Sequence, residues 1–329
     1  IKSMISNVKY YFGKPKPMNK FIQGNCIDVI KTLENNSIDC VVSSPPYFGL
    51  RDYGVDGQFG LEKTYQDYLA NTVKVFETFK PKLKDTATIW WNVGDSYNSS
   101  QAGNKTSGNG VGANIHYKNG SIPKKRNISK NLKPKDLLMI PNRVAIALQD
   151  AGWYIRSEII WHKPNPMPES VKDRPTSCHE KIWLITKSKK YYYDADAIKE
   201  DVAQSTKDRD KYKRTSYQKE SWNEKINHLN PTKNTHRNCG NKKNKRNVWT
   251  VTTKPFKDAH FATFPKDLIE PCILAGCPEG GTVLDPFSGA GTTVLVANEH
   301  NRKAIGIELN DDYIKIAERR MNDCQPRMV

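Results

Sequence analysis

Two stretches of this chain carry residue types that could do chemistry. The first is Asp285-Pro286-Phe287-Ser288-Gly289-Ala290-Gly291-Thr292-Thr293. The short apolar run before it, Thr282-Val283-Leu284, reads as a buried parallel strand, and Val294 to Asn298 after it reads as a helix. Strand, glycine-rich turn and helix together form a nucleotide-type cofactor site: glycines let the backbone approach a ligand, and the helix N-terminus faces it. A second strand, Lys303 to Ile307, ends in Glu308, 17 residues after Gly291. A carboxylate there can accept hydrogen bonds from both hydroxyls of a ribose. No lysine follows the glycines, so a Walker-type phosphate loop is excluded, and Thr292-Thr293-Val294 after Gly291 breaks the nicotinamide spacing GxGxxG. Phosphate charge is therefore not the ligand's main feature. The plainer alternative is a tight structural turn, and the acid at Glu308 weighs against it.

The second stretch is Ser44-Pro45-Pro46-Tyr47, which follows the buried strand Ile38 to Ser43. Two consecutive prolines stop both helix and strand ladder and make a rigid, extended turn. At the C-terminal end of a strand, where open parallel sheets place their chemistry, such a turn exposes a hydroxyl and a carbonyl as acceptors beside an aromatic plane. Acceptors with a stacking surface suit a planar group that carries an amine, such as a nucleobase. A proline-stiffened loop is the alternative.

The elements that must position these stretches follow from periodicity. Phe21 to Cys26 reads as a strand reaching a turn, with a short helix through Leu33. Tyr65 to Leu83 has apolar residues at helical spacing, Ala87 to Val93 is a strand ending at Gly94-Asp95, and Asp136 to Ala151 is helical with a stop at Gly152. Trp153 to Trp161 and Lys181 to Thr186 read as strands, Phe264-Pro265-Lys266-Asp267-Leu268 opens a helix, and Asn310 to Met321 closes the chain as another. Asp95 is a weaker candidate for pocket wall, with a capping role as the alternative. A polar-aromatic patch of Trp161, Lys163, Asn165, Pro168, Arg174, His179 and Glu180 reads as pocket wall or nucleic-acid contact, with a structural role as the alternative.

At 329 residues the chain can form one large domain or two, and its net charge of +17 makes a polyanion the first suspect as partner. No run approaches the length of a membrane span, so nucleic acid is favoured over a membrane. Asn98 to Lys135 holds eight Lys or Arg and no acid, in a Gly-, Asn- and Ser-rich loop; residues 199–246 hold fourteen Lys or Arg against six acids. The stretch before Met18, a plausible natural start, lacks the apolar core of a signal peptide. Seven scattered cysteines suit a reducing cytoplasm. No CxxC pair exists, and His236 and Cys239 read as ordinary residues, so no metal site is expected.

The two motifs together resemble the S-adenosylmethionine-dependent DNA amino-methyltransferases. Their order, Ser44 to Tyr47 before Asp285 to Gly291, is similar to the circularly permuted beta group of that family. The resemblance runs from Asn19 onward, with no motif match near 98–135 and 196–247. It implies a doubly wound, mostly parallel, seven-stranded Rossmann-like α/β sheet. In that arrangement 19–195 is the catalytic half, 196–247 a basic target-recognition insert and 248–329 the cofactor half. By motif, Phe287, Ser288, Gly289 and Gly291, with Asp285 and Thr292 in the same turn, would line the methionine part of the cofactor. Phe264 and Pro265 would shelter it, and Glu308 would hold the ribose. Asn25 stands where the family carries an acid near the adenine. Ser44 and the Pro45 carbonyl would accept the hydrogens of an exocyclic amine, with Pro46 stiffening the turn and Tyr47 stacking on the flipped base. Serine at the first position favours cytosine N4 over adenine N6. Carbon-5 methylation is disfavoured, since the only Pro-Cys, Pro271-Cys272, lies inside an expected helix. The implied partner is double-stranded DNA in a prokaryotic cytoplasm, with a cognate restriction endonuclease as a further candidate. The sequence leaves open the oligomeric state, an RNA substrate, and a silent nucleic-acid-binding scaffold.

Overall fold

The computed structural model describes residues 19–98, 132–203, 242–253 and 263–323. Most of the basic loop at 98–135 and of the insert at 196–247, with His236 and Cys239, lies outside the described residues. Two compact units are present, Asp194–Arg246 and the rest of the chain. Within the smaller unit, β6 (Glu200–Asp201) pairs antiparallel with β7 (Lys242–Lys243), and the Arg246 Nε donates to Glu200 at 2.8 Å.

The larger unit is built on one sheet. Its strands are β1 (Asn19–Gln23), β2 (Ile38–Ser43), β3 (Leu83–Val93), β4 (Tyr154–His162), β5 (His179–Thr186), β8 (Val248–Thr250), β9 (Thr282–Asp285) and β10 (Lys303–Glu308), in the order β1-β10-β9-β2-β3-β5-β4-β8. This corrects the expected seven strands to eight: Val248 to Thr250 adds a parallel edge strand beside β4. Every neighbouring pair is parallel except the two that β5 makes, so β5 alone runs in reverse. All six residues of β2 are buried, because helices cover both faces of a parallel sheet; that explains the unbroken apolar run of Cys40, Val41 and Val42.

The helices are α1 (Cys26–Thr32), α2 (Tyr65–Phe79), α3 (Ile140–Asp150), α4 (Lys266–Gly276), α5 (Thr292–Glu299) and α6 (Asp311–Asp323). Thr64 caps α2 by accepting the Asp67 N–H at 3.1 Å, and the helix buries Tyr68, Val75, Phe76 and Phe79. α3 starts four residues later than its periodicity predicts, after Met139 in the left-handed region. Asp95 accepts the Ile140 N–H at 3.1 Å, so this strand-end acid caps α3. α5 is buried all round from Thr292 to Ala297, a helix held wholly inside.

From β2 the chain proceeds to β3 on one side, and from β9 to β10 on the other, although β2 and β9 are neighbours. That divergence is the switch point of a doubly wound sheet, and it opens a crevice beyond the carboxyl ends of the two strands. Asp285 bridges it. Its carboxylate, buried to 1 % exposure, accepts the Ser43 hydroxyl at 2.6 Å, the Thr293 hydroxyl at 2.6 Å and the Phe287 N–H at 3.1 Å. One side chain thus ties the end of β2, the glycine turn and the start of α5 together.

Burial raises the Asp285 carboxyl to about 6, against these hydrogen bonds, which lower it. An acid whose folded pKa is raised contributes most stability when protonated, and that contribution is lost as pH rises through about 6. Asp285→Asn has no such titration. The stability gap between wild type and variant in urea melts is therefore expected to widen by about 1 kcal/mol from pH 7 to pH 5. A gap that stays flat or narrows over that range rules out this account of the residue.

Candidate active site

A cavity of about 860 Å³ lies over the carboxyl ends of the sheet, at the large end of the roughly 300–1,000 Å³ typical of ligand pockets. It has room for a nucleoside-sized ligand and a second planar group. Both sequence motifs reach it. Ser44, Pro45, Pro46 and Tyr47 form one part of the wall; Asp285, Phe287, Ser288, Gly289, Thr292 and Glu308 form another, with Asn25 and Phe264 at its margin. Gly291 and Pro265, expected in the wall, do not line the cavity. Gly291 has a structural task instead. It caps α5 at φ +76°, and a Cβ there would fall 2.8 Å from Ala317 Cβ and 2.9 Å from the Phe21 ring. Pro265 is buried at the start of α4, where its missing N–H costs no hydrogen bond.

On the glycine-turn side, Glu308 accepts the Gly289 N–H at 2.8 Å and the Asn310 N–H at 2.9 Å, which holds its carboxylate at the cavity rim. Burial pushes this carboxyl above the ordinary range, against the N–H groups that lower it. Gly289 has φ +48° and open space where a Cβ would stand. The buried Ser288 hydroxyl has no hydrogen-bond partner among the described residues. Phe287 nests between Phe59 and Trp91, with ring centroids 5.3 and 6.0 Å away. A carboxylate, an unpartnered hydroxyl and open backbone beside aromatic rings fit a nucleoside that bears a polar chain. Asn25 is partly committed: its side chain accepts the Ile27 N–H at 3.0 Å as the cap of α1.

On the Ser-Pro-Pro-Tyr side the hydroxyl protons can be assigned by counting donors. A carboxylate only accepts, so the contact of 2.6 Å between the Tyr47 hydroxyl and Glu180 Oε2 uses the tyrosine proton. The Tyr47 oxygen must then accept from Ser44 Oγ, 3.1 Å away. Asn92 Oδ1, its amide fixed by donation to the Lys181 carbonyl at 3.2 Å, is a second acceptor for the Tyr47 hydroxyl at 3.0 Å, farther than the carboxylate. Burial, followed by the Glu180 charge, raises the Tyr47 phenol well above its ordinary range, so it stays protonated. Ser44 is left with its lone pairs unused by this chain of bonds. Tyr68 donates to the Pro46 carbonyl at 3.3 Å, while no described residue donates to the Pro45 carbonyl.

Tyr47 rests against Gly94. A Cβ on Gly94 would lie 2.5 Å from the tyrosine Cε2 and 2.7 Å from Cδ2, so only glycine fits beneath the ring. Of the polar-aromatic patch, Trp161, Lys163, Asn165, Pro168 and Glu180 line the cavity. Arg174 instead pairs with Glu169 at 2.6 Å and covers Tyr97 at 3.9 Å. Asn92 went unnoticed in the sequence; its only signal is a polar residue in the strand Ile89-Trp90-Trp91-Asn92-Val93. Glu180 arrives because β5 is reversed. The first residues of β5 lie at the same sheet edge as the last residues of β3 and β4, with Lys181 opposite Val93 and His179 opposite His162.

Residues 38–319 match the model of a family described as DNA methylase, of the N6 and N4 type. Among curated proteins, the type II methyltransferase M.Cfr9I of Citrobacter freundii is 41 % identical over 97 % of this chain and 93 % of its own length. M.SmaI of Serratia marcescens, another type II methyltransferase, is also 41 % identical, over 92 % of this chain and 90 % of its own. Two solved structures share the fold. The PvuII DNA methyltransferase, described as cytosine-N4-specific, has a TM-score of 0.61 at 16 % identity, over 96 % of this chain and 91 % of that one. A putative DNA modification methylase of Thermus thermophilus, complexed with S-adenosyl-L-methionine, has a TM-score of 0.57 at 19 % identity, over 94 % of this chain and 96 % of that one. With a family match across most of its length and these relatives, the chain belongs to the N6/N4 DNA methylase family.

Proposed function

We propose that this DNA methylase transfers a methyl group from S-adenosylmethionine to the exocyclic N4 amine of a cytosine that has left the duplex stack. One observation carries the reading: the lone pairs of Ser44 Oγ, whose proton is given to Tyr47, stand in the same turn as the Pro45 carbonyl. An exocyclic amine is a poor nucleophile because its lone pair is delocalised into the ring. When two acceptors take its two hydrogens, the nitrogen becomes more tetrahedral and its lone pair is freed. The resemblance to the amino-methyltransferases, among which serine at the head of this turn goes with cytosine N4 and aspartate with adenine N6, supports cytosine over adenine. When bound, S-adenosylmethionine supplies an electrophilic methyl group on a positively charged sulfur. Phe287, Ser288 and Gly289 are assigned to its methionine end, Phe264 to sheltering that end, and Glu308 to its ribose. The Tyr47 ring is assigned to stacking on the flipped base.

Residues 19–195 and 248–329 then act as the catalytic and cofactor halves, and 196–247 as the part that reads DNA sequence. The basic composition of that insert supports phosphate contact through counterion release. The type II naming of the relatives supports a cognate restriction endonuclease as functional partner. DNA as substrate puts the enzyme in the bacterial cytoplasm.

Nucleoside mass analysis of DNA treated with enzyme and S-adenosylmethionine is expected to show N4-methylcytosine. N6-methyladenine as the only product overturns the base assignment, and no methylated nucleoside at all overturns the enzymatic one. Glu308→Gln is expected to weaken S-adenosylmethionine binding about 10- to 100-fold by calorimetry, since a hydrogen bond to a charged acceptor is worth about 1.5–3 kcal/mol. Gly94→Ala forces the Tyr47 ring aside; its turnover should fall about 10²-fold, with the circular dichroism of the native fold retained.

A further inference from the structure

The methylated amine has to lose a proton, and the cavity wall contains an ordered path for it. Ser44 Oγ lies 3.1 Å from the Tyr47 oxygen, and that oxygen lies 2.6 Å from Glu180 Oε2. The other carboxylate oxygen, Oε1, is paired with the Lys163 ammonium, which sits 4.3 Å from the centre of the Trp161 ring. The carboxylate is therefore held from one side by the turn after β2 and from the other by the residues that follow β4. It has one oxygen committed to an ion pair and the other to the tyrosine. Neither the family match nor the motif assigns a role to Glu180.

We propose that Glu180 is a positioning residue that orients the Ser44–Tyr47 hydroxyl chain and receives the proton released by the amine, an inference that rests on the methylase reading above. The amine nitrogen attacks the methyl carbon with its lone pair, and the carbon–sulfur bonding pair leaves with the sulfur, whose positive charge it cancels. The nitrogen, now cationic, keeps the electron pair of one N–H bond as that proton passes to Ser44 Oγ. The serine's own proton moves to the tyrosine oxygen, and the tyrosine's proton moves to Glu180 Oε2. The products are a neutral methylated base, a neutral thioether and a protonated Glu180, which later returns its proton to water. Each hop follows a hydrogen bond. Both groups beyond the phenol, Glu180 Oε2 at 2.6 Å and Asn92 Oδ1 at 3.0 Å, only accept, so the Tyr47 proton points away from Ser44. The nearer, charged carboxylate is the one that can take it.

The test is single-turnover transfer of a radiolabelled methyl group to duplex DNA by wild type, Glu180→Gln, Tyr47→Phe and the double variant. Each single substitution preserves shape, and phenylalanine keeps the ring while removing the middle hydroxyl. Each single variant is expected to lose about 10²-fold in the chemical step, as loss of general acid–base help does. KM for DNA and for S-adenosylmethionine should stay within about threefold, and the double variant should be no slower than either single, because residues that act as one unit are not additive. Wild-type rates in Glu180→Gln, losses confined to KM, or single losses that multiply to about 10⁴ in the double variant each overturn the proposal. Label delivered to adenine removes only the cytosine assignment and leaves the Glu180 result valid. A wild type that transfers no label to DNA removes the methylase reading and this inference with it.

Discussion

The Asp285 carboxylate joins parts of the chain that the fold has every reason to keep apart. A doubly wound sheet splits at its switch point, and the split that makes a cleft also leaves two strand ends with few mutual ladder bonds. Here β2 and β9 are in register only at Cys40 with Val283 and Val41 with Leu284. Beyond that, Asp285 takes over, receiving two hydroxyls and one N–H from three elements. A buried carboxylate is expensive unless its oxygens are satisfied, and three short donors offset that cost. The two motif-bearing walls of the cavity, the Ser44 turn and the glycine turn, are tied through Asp285 beyond the point where the ladder ends, with the Thr293 hydroxyl also 3.3 Å from the Val42 carbonyl.

Around that tie the wall is built by subtraction as much as by addition. Gly94 gives Tyr47 a place to lie, and open space at Gly289 leaves room for a ligand along the turn. Hydroxyl, phenol and carboxylate then line up at 3.1 and 2.6 Å with only one allowed sense of donation. The direction of the Ser44 hydroxyl is thus decided by the two acceptors beyond Tyr47, Glu180 Oε2 and Asn92 Oδ1. A serine alone could turn its hydrogen either way.

Contiguous signals were the legible ones. The glycine turn, Glu308 and Ser44 to Tyr47 each announce themselves because their neighbours in sequence are also their neighbours in function. The order of elements and the two-sided burial of β2 followed from apolar runs. What escaped was whatever depends on pairing between distant strands. Asn92 looks like an interruption in an apolar strand until its amide is seen to span Tyr47 and the Lys181 carbonyl. Glu180 belongs to a patch whose members part company once β5 turns round: Glu180 and Lys163 face the cavity, Arg174 does not. Motif membership also reached beyond the cavity wall, since Gly291 and Pro265 stand at the starts of helices and do not line it. The eighth strand was too short, at three residues, to declare itself.

The late position of the glycine turn also has a meaning in time. β1 pairs along its whole length with β10, Asn19 beside Ala304 and Gln23 beside Glu308, so the first strand of the described chain finds its only sheet neighbour among the last. Ser43 reaches Asp285 across 242 positions. Contacts of such separation form slowly, because the intervening loop must close before they are rewarded. During synthesis β1 has no sheet neighbour until β10 has been made. A chain that ends between the Ser44 turn and β10 has the turn but lacks Glu308, so the two walls of the cavity come together only once β10 has been made.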